Sequence, residues 1–159
     1  MPANKVREYL DSRGVKYVTI RHSPAVTAAE VAASAHVAGR DFAKTVIVWI
    51  GGKPAMVVLP ASRRIVLHDL RELLDSPEAR LATEEEFSDL FPDCELGAMP
   101  PFGNLYGLPV YVEPSLAKEP EIAFNAGSHT EIIKMAYADF EAAVRPIILE
   151  FITTSASRP

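Results

Sequence analysis

The chain has 159 residues, 48% of them apolar and 23% charged, the composition of one ordinary folded globule and not of a disordered segment. A formal charge of -5 argues against a protein that coats nucleic acid through overall positive charge, and the single cysteine, Cys94, excludes an internal disulfide framework or a multi-cysteine metal site. No apolar run nears the roughly 18 residues of a membrane span, and the N-terminal residues contain no apolar signal core. The expectation is a soluble cytoplasmic protein, one domain over residues 1–152 with a polar tail at 153–159.

Val6, Tyr9 and Leu10 recur at helical spacing before Gly14, so residues 4–13 read as a short helix with a glycine stop. Residues 15–22 are rich in β-branched and aromatic side chains and read as a strand that ends before Pro24. Thr27-Ala-Ala-Glu30 is a capping box, in which the Thr hydroxyl accepts from the third helical N–H and the Glu reaches back. Its helix should run to about Val37, with Gly39 as the stop. Residues 42–50 form a nearly continuous apolar run, the pattern of a strand covered on both faces. Gly51-Gly-Lys-Pro54 turns that run back into residues 55–59, a hairpin closed by Pro60. A short strand at 64–67 and a helix at 69–74 follow, and Thr83-Glu-Glu-Glu86 opens a second capped helix to about Leu90.

Six prolines and glycines punctuate residues 92–107, which should form an irregular loop of constrained shape. Residues 110–113, 121–125 and 131–135 read as strands, 137–144 as a helix and 147–152 as a last strand. The mixture lacks the steady β–α alternation of a doubly wound sheet. Charge is segregated along this order. Residues 69–95 carry ten acids and two bases, which leaves 14 bases against 11 acids elsewhere. A weakly basic surface on an acidic protein is one reading, and solvated faces of mixed sign are the plainer one.

Three features carry candidate chemistry. On the strand of residues 42–50, Lys44 shares a face with Val46, Val48 and Ile50, while Ala43, Thr45, Ile47 and Trp49 line the other. An ammonium there either snorkels outward or meets an anion such as phosphate or carboxylate. The loop Gly97-Ala-Met-Pro-Pro101-Phe-Gly103 can bring backbone N–H and C=O groups close to a reacting carbonyl or a water, or can be a rigid surface connection. Asn125-Ala-Gly-Ser-His129 offers an amide, a hydroxyl and an imidazole around a glycine turn, although turn formation alone explains those residues. His22, His36, His68 and His129 show no metal-ligand spacing, so no metal is expected. Cys94, flanked by Asp93 and Glu95, is a poor nucleophile. Nucleotide-binding glycine loops and the nucleophile elbow of hydrolases do not occur.

In this order the features resemble the YbaK/EbsC family, the prolyl-tRNA synthetase-associated domains that edit aminoacyl-tRNA. The stretches that carry the resemblance are Thr27-Ala-Ala-Glu30, Ala43-Lys-Thr-Val46, Val57-Val-Leu-Pro-Ala61, Gly97-Ala-Met-Pro-Pro-Phe-Gly103, Ile122-Ala-Phe-Asn-Ala-Gly127 and Ala138-Asp-Phe140, from about Val15 to Ile152. The resemblance implies an α/β fold with a mixed, barrel-like β-sheet surrounded by helices. It also implies hydrolysis of the ester joining a wrong amino acid to the 3′ end of a tRNA, without a cofactor and with help from the neighbouring ribose hydroxyl of the substrate. Lys44 matches the family lysine that engages the terminal phosphate, and Gly97 and Pro101 match the glycine and proline of its GxxxP loop.

The expected catalytic set is Lys44, Gly97 and His129, with Thr45, Ala98, Met99, Pro101, Phe102, Gly103, Asn125, Gly127 and Ser128 around the substrate. The expected partners are a mischarged aminoacyl-tRNA, gripped transiently at its 3′ end, and an aminoacyl-tRNA synthetase. Two departures leave the amino acid open. Met99, Pro100 and Pro101 stand where the cysteine-editing branch has a Gly-Gly-Cys-Ser-Pro-like loop, and Gly127-Ser-His129 stands where the alanine-editing branch has a His-Pro-x-x-Asn-like segment. Bulky Met99 and Phe102 would favour a small side chain such as Ala, Ser, Thr or Cys. The alternative is a module that binds a tRNA end, a nucleotide or a protein without turnover.

Overall fold

A computed structural model describes residues 4–25, 27–95, 97–150 and 153–155. Helix α1 (Asn4–Ser12) buries Val6 and Leu10 and leads into strand β1 (Val18–Arg21). Helix α2 (Ala28–Ser34) carries both arms of the expected capping box. It ends before Val37 because His36 takes a left-handed conformation (φ 58°) and the Val37 N–H closes back on the Ala32 carbonyl at 2.8 Å. The left-handed backbone of His36, a residue with a side chain, thus performs the stop expected of Gly39.

Strands β2 (Ala43–Ile50) and β3 (Lys53–Pro60) form the expected hairpin, joined by Gly51 and Gly52. Both glycines have positive φ, 58° and 77°, the two-residue turn whose twist matches the flanking strands. Then come β4 (Arg63–Ile65), α3 (Leu67–Leu73), β5 (Arg80–Leu81) and α4 (Glu84–Leu90), the last with its capping box intact. The proline-rich loop ends in a 3-10 turn, Gly103–Tyr106, followed by β6 (Val110–Val112) and α5 (Pro114–Ala117). Strands β7 (Glu121–Asn125) and β8 (Glu131–Ala136), helix α6 (Tyr137–Val144) and strands β9 (Ile147–Ile148) and β10 (Thr153–Ser155) complete the described chain.

The expected α/β class holds, with mixed sheets flanked by helices, but the barrel-like part is an open arrangement. Five strands form one sheet in the order β5-β2-β3-β6-β9, antiparallel around β2 and parallel from β3 to β9. Three more, β1-β8-β7, form an antiparallel sheet, and β10 pairs with β4. The two larger sheets meet at a parallel bridge between Phe42 and Ala123. Residues 153–155, expected to begin a polar tail, are thus drawn into strand pairing, while residues 151–152 of the expected last strand lie outside the described residues.

The alternation expected for β2 is realised. Ala43 and Ile47, with Met56 and Val58 of β3, face a core filled by α1, α6, the proline-rich loop and the β7–β8 sheet. Val46, Val48 and Ile50, with Val57 and Leu59, face the other way onto Leu70 of α3. A third cluster packs Val31 and Ala32 of α2 on Phe42, Ala61, Ala123 and Ile132 at the seam between the sheets. Among the described residues no helix is long and apolar enough to cross a membrane.

Candidate functional site

The seam sets the geometry. At the Phe42–Ala123 bridge β2 and β7 run parallel, and the Ala123 N–H donates to the Asp41 carbonyl at 2.9 Å. Two residues along each strand come Lys44 and Asn125, brought by the alternation to the same side. Lys44 is half-buried opposite Leu59, and its ammonium is held below the ordinary lysine value, first by burial and then by the charge of Arg64. Asn125 is buried, and its Oδ1 has no hydrogen-bond partner among the described residues. The Thr45 Oγ1, from the core-facing side of β2, is likewise enclosed without a partner. Enclosed polar atoms of this kind usually find partners in native proteins, so both mark places where a ligand group or water belongs.

Beyond Asn125 the chain turns through Gly127, Ser128 and His129, and the turn is laced to the proline-rich loop. The Glu95 N–H donates to the Gly127 carbonyl at 2.8 Å, and the Gly127 N–H donates to the Ala98 carbonyl at 3.0 Å. The His129 N–H donates to the Glu95 carboxylate at 2.6 Å. From the opposite side the Ala25 N–H reaches the His129 carbonyl at 3.3 Å, and the His22 N–H reaches that of Thr130 at 2.9 Å. Gly97 lies at this junction, exposed and left-handed (φ 82°), a conformation that glycine adopts without cost. A Cβ placed on it would meet the His129 Cε1 at 3.8 Å. Gly97 and His129, 32 positions apart, are therefore neighbours, and Lys44 and Asn125 follow along the same seam.

Other expected site residues have different duties. Phe102 is fully buried at the centre of an aromatic cluster, 5.4 Å from Phe124, 5.5 Å from Phe140 and 6.3 Å from Tyr9 between ring centroids. It belongs to the main core, beneath the loop. Gly103 is a packing position, with space for a Cβ only 2.7 Å from the Val110 Cγ2. Ser128 turns its hydroxyl to the Thr130 N–H at 3.4 Å, so it shapes the turn. Ala98, Met99 and Pro101 are buried on the loop, with Met99 in the main core.

Two residues were not singled out in the sequence. Glu95 ties the His129 turn to the loop through its carboxylate and its backbone, a role for which an acid among ten offers no signal. Arg64 is exposed on β4 and becomes relevant only through its nearness to Lys44. Burial pushes the Cys94 thiol up to about 11, with the charge of Asp93 adding to it, which disfavours the thiolate at neutral pH. One histidine–acid group, His68, Asp69 and Glu72 on α3, brings ligand atoms within 4.8 Å of one another. His68 and Glu72 are exposed there and lie 3.1 Å apart, an ordinary i,i+4 side-chain contact on a helix. An apolar cleft of about 300 Å³ opens near the seam between α2 and the turn after β3, lined by Ala29, Ala32, Ala33, Val37, Gly39 and Ala61, with Ser62 at its edge.

Comparison with known proteins places this arrangement. The model of the aminoacyl-tRNA editing domain matches residues 22–143, which includes every residue of the seam and the laced loops. The chain belongs to that family. No curated protein matches it. Among solved structures, hypothetical protein APE2540 superposes with a TM-score of 0.82 at 24% identity, over 93% of this chain and 99% of that one. A candidate trans-editing enzyme for prolyl tRNA synthetase gives 0.79 at 23% identity, over 94% and 95% of the two chains. A candidate signal transduction protein from Marinobacter aquaeolei shares the fold at 0.75 and 13% identity, with this chain covering 30% of its length.

Proposed function

We propose that this chain is a trans-editing aminoacyl-tRNA deacylase, which hydrolyses the ester between a small, wrongly attached amino acid and the 3′ end of a tRNA. The nearness of Gly97 to the His129 ring, together with Lys44 and Asn125 brought to one side of the seam, is the observation that carries the reading. Membership of the editing-domain family supports the same reading, as does the full-length likeness to a candidate trans-editing enzyme.

An aminoacyl ester is already activated, so the protein need supply only position and electrostatics. Lys44 anchors the phosphate that leads to the terminal adenosine, and its half-burial strengthens that attraction. The Gly97 backbone, open to solvent and free of a side chain, orients the water and the ester carbonyl. Asn125, whose side-chain oxygen is enclosed without a protein partner among the described residues, contacts the aminoacyl group or the ribose. His129, fixed through its backbone N–H by Glu95, borders the same place. The water oxygen attacks the carbonyl carbon, the bond to the ribose oxygen breaks, and a proton passes to that oxygen. The products are the free amino acid and a tRNA with its terminal hydroxyl restored. Met99, packed under the loop, keeps the space small, which suits Ala, Ser, Thr or Cys.

Incubation of the protein with a panel of mischarged tRNAs, followed by quantitation of residual aminoacyl-tRNA, tests the proposal. Faster deacylation of at least one small-residue mischarged tRNA than the spontaneous rate supports it. Binding of the panel without any acceleration would instead make the domain a non-catalytic tRNA-end module.

A further inference from the structure

The Gly97 loop is laced on one side to the His129 turn, and a side-chain contact fastens it a second time. Tyr106 ends the 3-10 turn at the far end of the loop, and its hydroxyl donates to the Asp93 carboxylate, 3.0 Å from Oδ2 and 3.1 Å from Oδ1. A hydroxyl bonded to an ionised carboxylate makes a charge-assisted hydrogen bond, stronger than a neutral one. The contact closes a ring of chain from Asp93 to Tyr106 that contains Gly97. Its two ends are unequally fixed. Tyr106 sits in the firmer half: the buried Phe91 ring is 4.5 Å from its own between centroids, and the Lys5 ammonium of α1 lies 4.3 Å over its face. The Leu108 N–H also closes the same turn onto the Gly103 carbonyl at 2.9 Å. Asp93 begins the other limb, which passes through exposed Glu95 to exposed Gly97. Main-chain bonds from Glu95 to Gly127 and from Gly127 to Ala98 tie that limb to the His129 turn, and Asp93 ties it to Tyr106. Burial, and after it the contacts with Cys94 and Asp93, hold the Tyr106 phenol above its ordinary value, so it keeps the proton it donates.

We propose that Tyr106 and Asp93 are positioning residues for the reaction, a brace that sets the Gly97 backbone against the His129 ring. The proposal rests on reading this chain as a deacylase. The two side chains act through the loop: they fix where the limb from Asp93 to Ala98 lies, and hence where the water and the ester carbonyl are held. Lys44, the phosphate anchor, stands on β2 outside the ring, so loosening the brace acts on kcat more than on KM.

Tyr106→Phe is the test, because it keeps the ring and its packing on Phe91 and Lys5 and removes only the hydroxyl. Two readouts are taken well below the melt. The first is the nuclear Overhauser effect between the Gly97 α protons and the His129 Hε1, which the closeness of Gly97 to the His129 Cε1 makes observable in the wild type. It should weaken or vanish in Tyr106→Phe. The second is deacylation of whichever mischarged tRNA the wild type hydrolyses, in which kcat should fall roughly tenfold to a hundredfold with KM within about twofold. Asp93→Ala should reproduce both effects, and Asp93→Asn, which keeps an acceptor, should restore part of each. Tyr106→Phe combined with Asp93→Ala should cost no more than either change alone, as expected of two partners in one contact. A lowered melt with the Overhauser effect and kcat per folded molecule intact would reduce the contact to a stabilising one and overturn the proposal. Loss of one readout without the other, on a tRNA that is deacylated, would overturn it too. If no mischarged tRNA is deacylated while the Overhauser effect is lost in Tyr106→Phe, the catalytic reading falls and the brace stands. If deacylation occurs and Tyr106→Phe changes neither readout, only the brace falls.

Discussion

Gly97 and Gly103 bracket one loop and look alike in sequence, but the structure gives them opposite roles, and Gly103→Ala separates these. A methyl group on Gly103 would lie 2.7 Å from the Val110 Cγ2, 3.0 Å from the Leu108 carbonyl oxygen and 3.3 Å from the Leu108 Cβ. Comfortable carbon–carbon contact begins near 3.5 Å, so the overlap with Val110 is roughly 1 Å. Neither neighbour yields easily. Val110 is buried in β6 between β3 and β9, with the stiff χ1 of a β-branched side chain. The Leu108 carbonyl is backbone, and the Leu108 N–H bonds to the Gly103 carbonyl at 2.9 Å, which closes the same turn. Overpacking of this kind costs about 1–3 kcal/mol. For a domain of this size that lowers Tm by roughly 2–12 °C. Thermal melts followed by circular dichroism should show the drop, while deacylation per folded molecule, measured well below the melt, stays within about twofold of wild type. An unchanged Tm with lost activity would refute this reasoning and return Gly103 to the substrate pocket.

Gly97→Ala should behave in the converse way. Its methyl meets only the His129 Cε1, at the ordinary distance of 3.8 Å, so the penalty is the left-handed backbone, about 1–2 kcal/mol. A loop that shifts to relieve it misplaces the reacting groups, and kcat should fall roughly tenfold to a hundredfold while the protein remains folded in melts. Glu95→Ala removes the carboxylate that holds the His129 N–H, so deacylation kinetics should show a loss that Glu95→Gln, still an acceptor, partly restores. Away from the site, Glu86 is held at about pKa 2, first by its hydrogen bonds to Arg80 and then by the Thr83 cap. A carboxylate lowered in the folded state stabilises above its unfolded value near 4.5, and that contribution disappears as pH falls toward 2. Urea midpoints measured across that window should decline in the wild type and decline less in Glu86→Gln.

Signals confined to a few neighbouring residues were legible in the sequence. Thr27 with Glu30 and Thr83 with Glu86 are capping boxes because both arms are local, and the Gly51-Gly52 hairpin follows from φ angles that only glycine adopts readily. The two-faced burial of β2 followed from a nearly continuous apolar run. Features decided by distant partners were not legible. Strand β5 is two residues long and exists because Arg80 and Leu81 pair with Trp49 and Val48. Strand β10 exists through its pairing with β4. Helix α5 had a local signal that went unread, the Glu113 cap followed by Pro114 at the first helical position. At the site, Lys44, Gly97, Asn125 and His129 were visible as chemical types, but their proximity comes from the Phe42–Ala123 bridge and from main-chain bonds that leave no trace in residue identity. The burial of Phe102 was not legible either, because a large aromatic beside a glycine–proline loop looks the same whether it faces a ligand or a core.

Lys44→Ala, tested on whichever mischarged tRNA the wild type deacylates, bears most directly on the account. Lys44 lies half-buried at the edge of a sheet whose apolar packing does not depend on its ammonium, so the variant should keep its circular dichroism spectrum and melt close to wild type. Its deacylation should fall to the spontaneous rate. A folded Lys44→Ala protein that retained full deacylation would contradict the assignment of this seam as the site of editing.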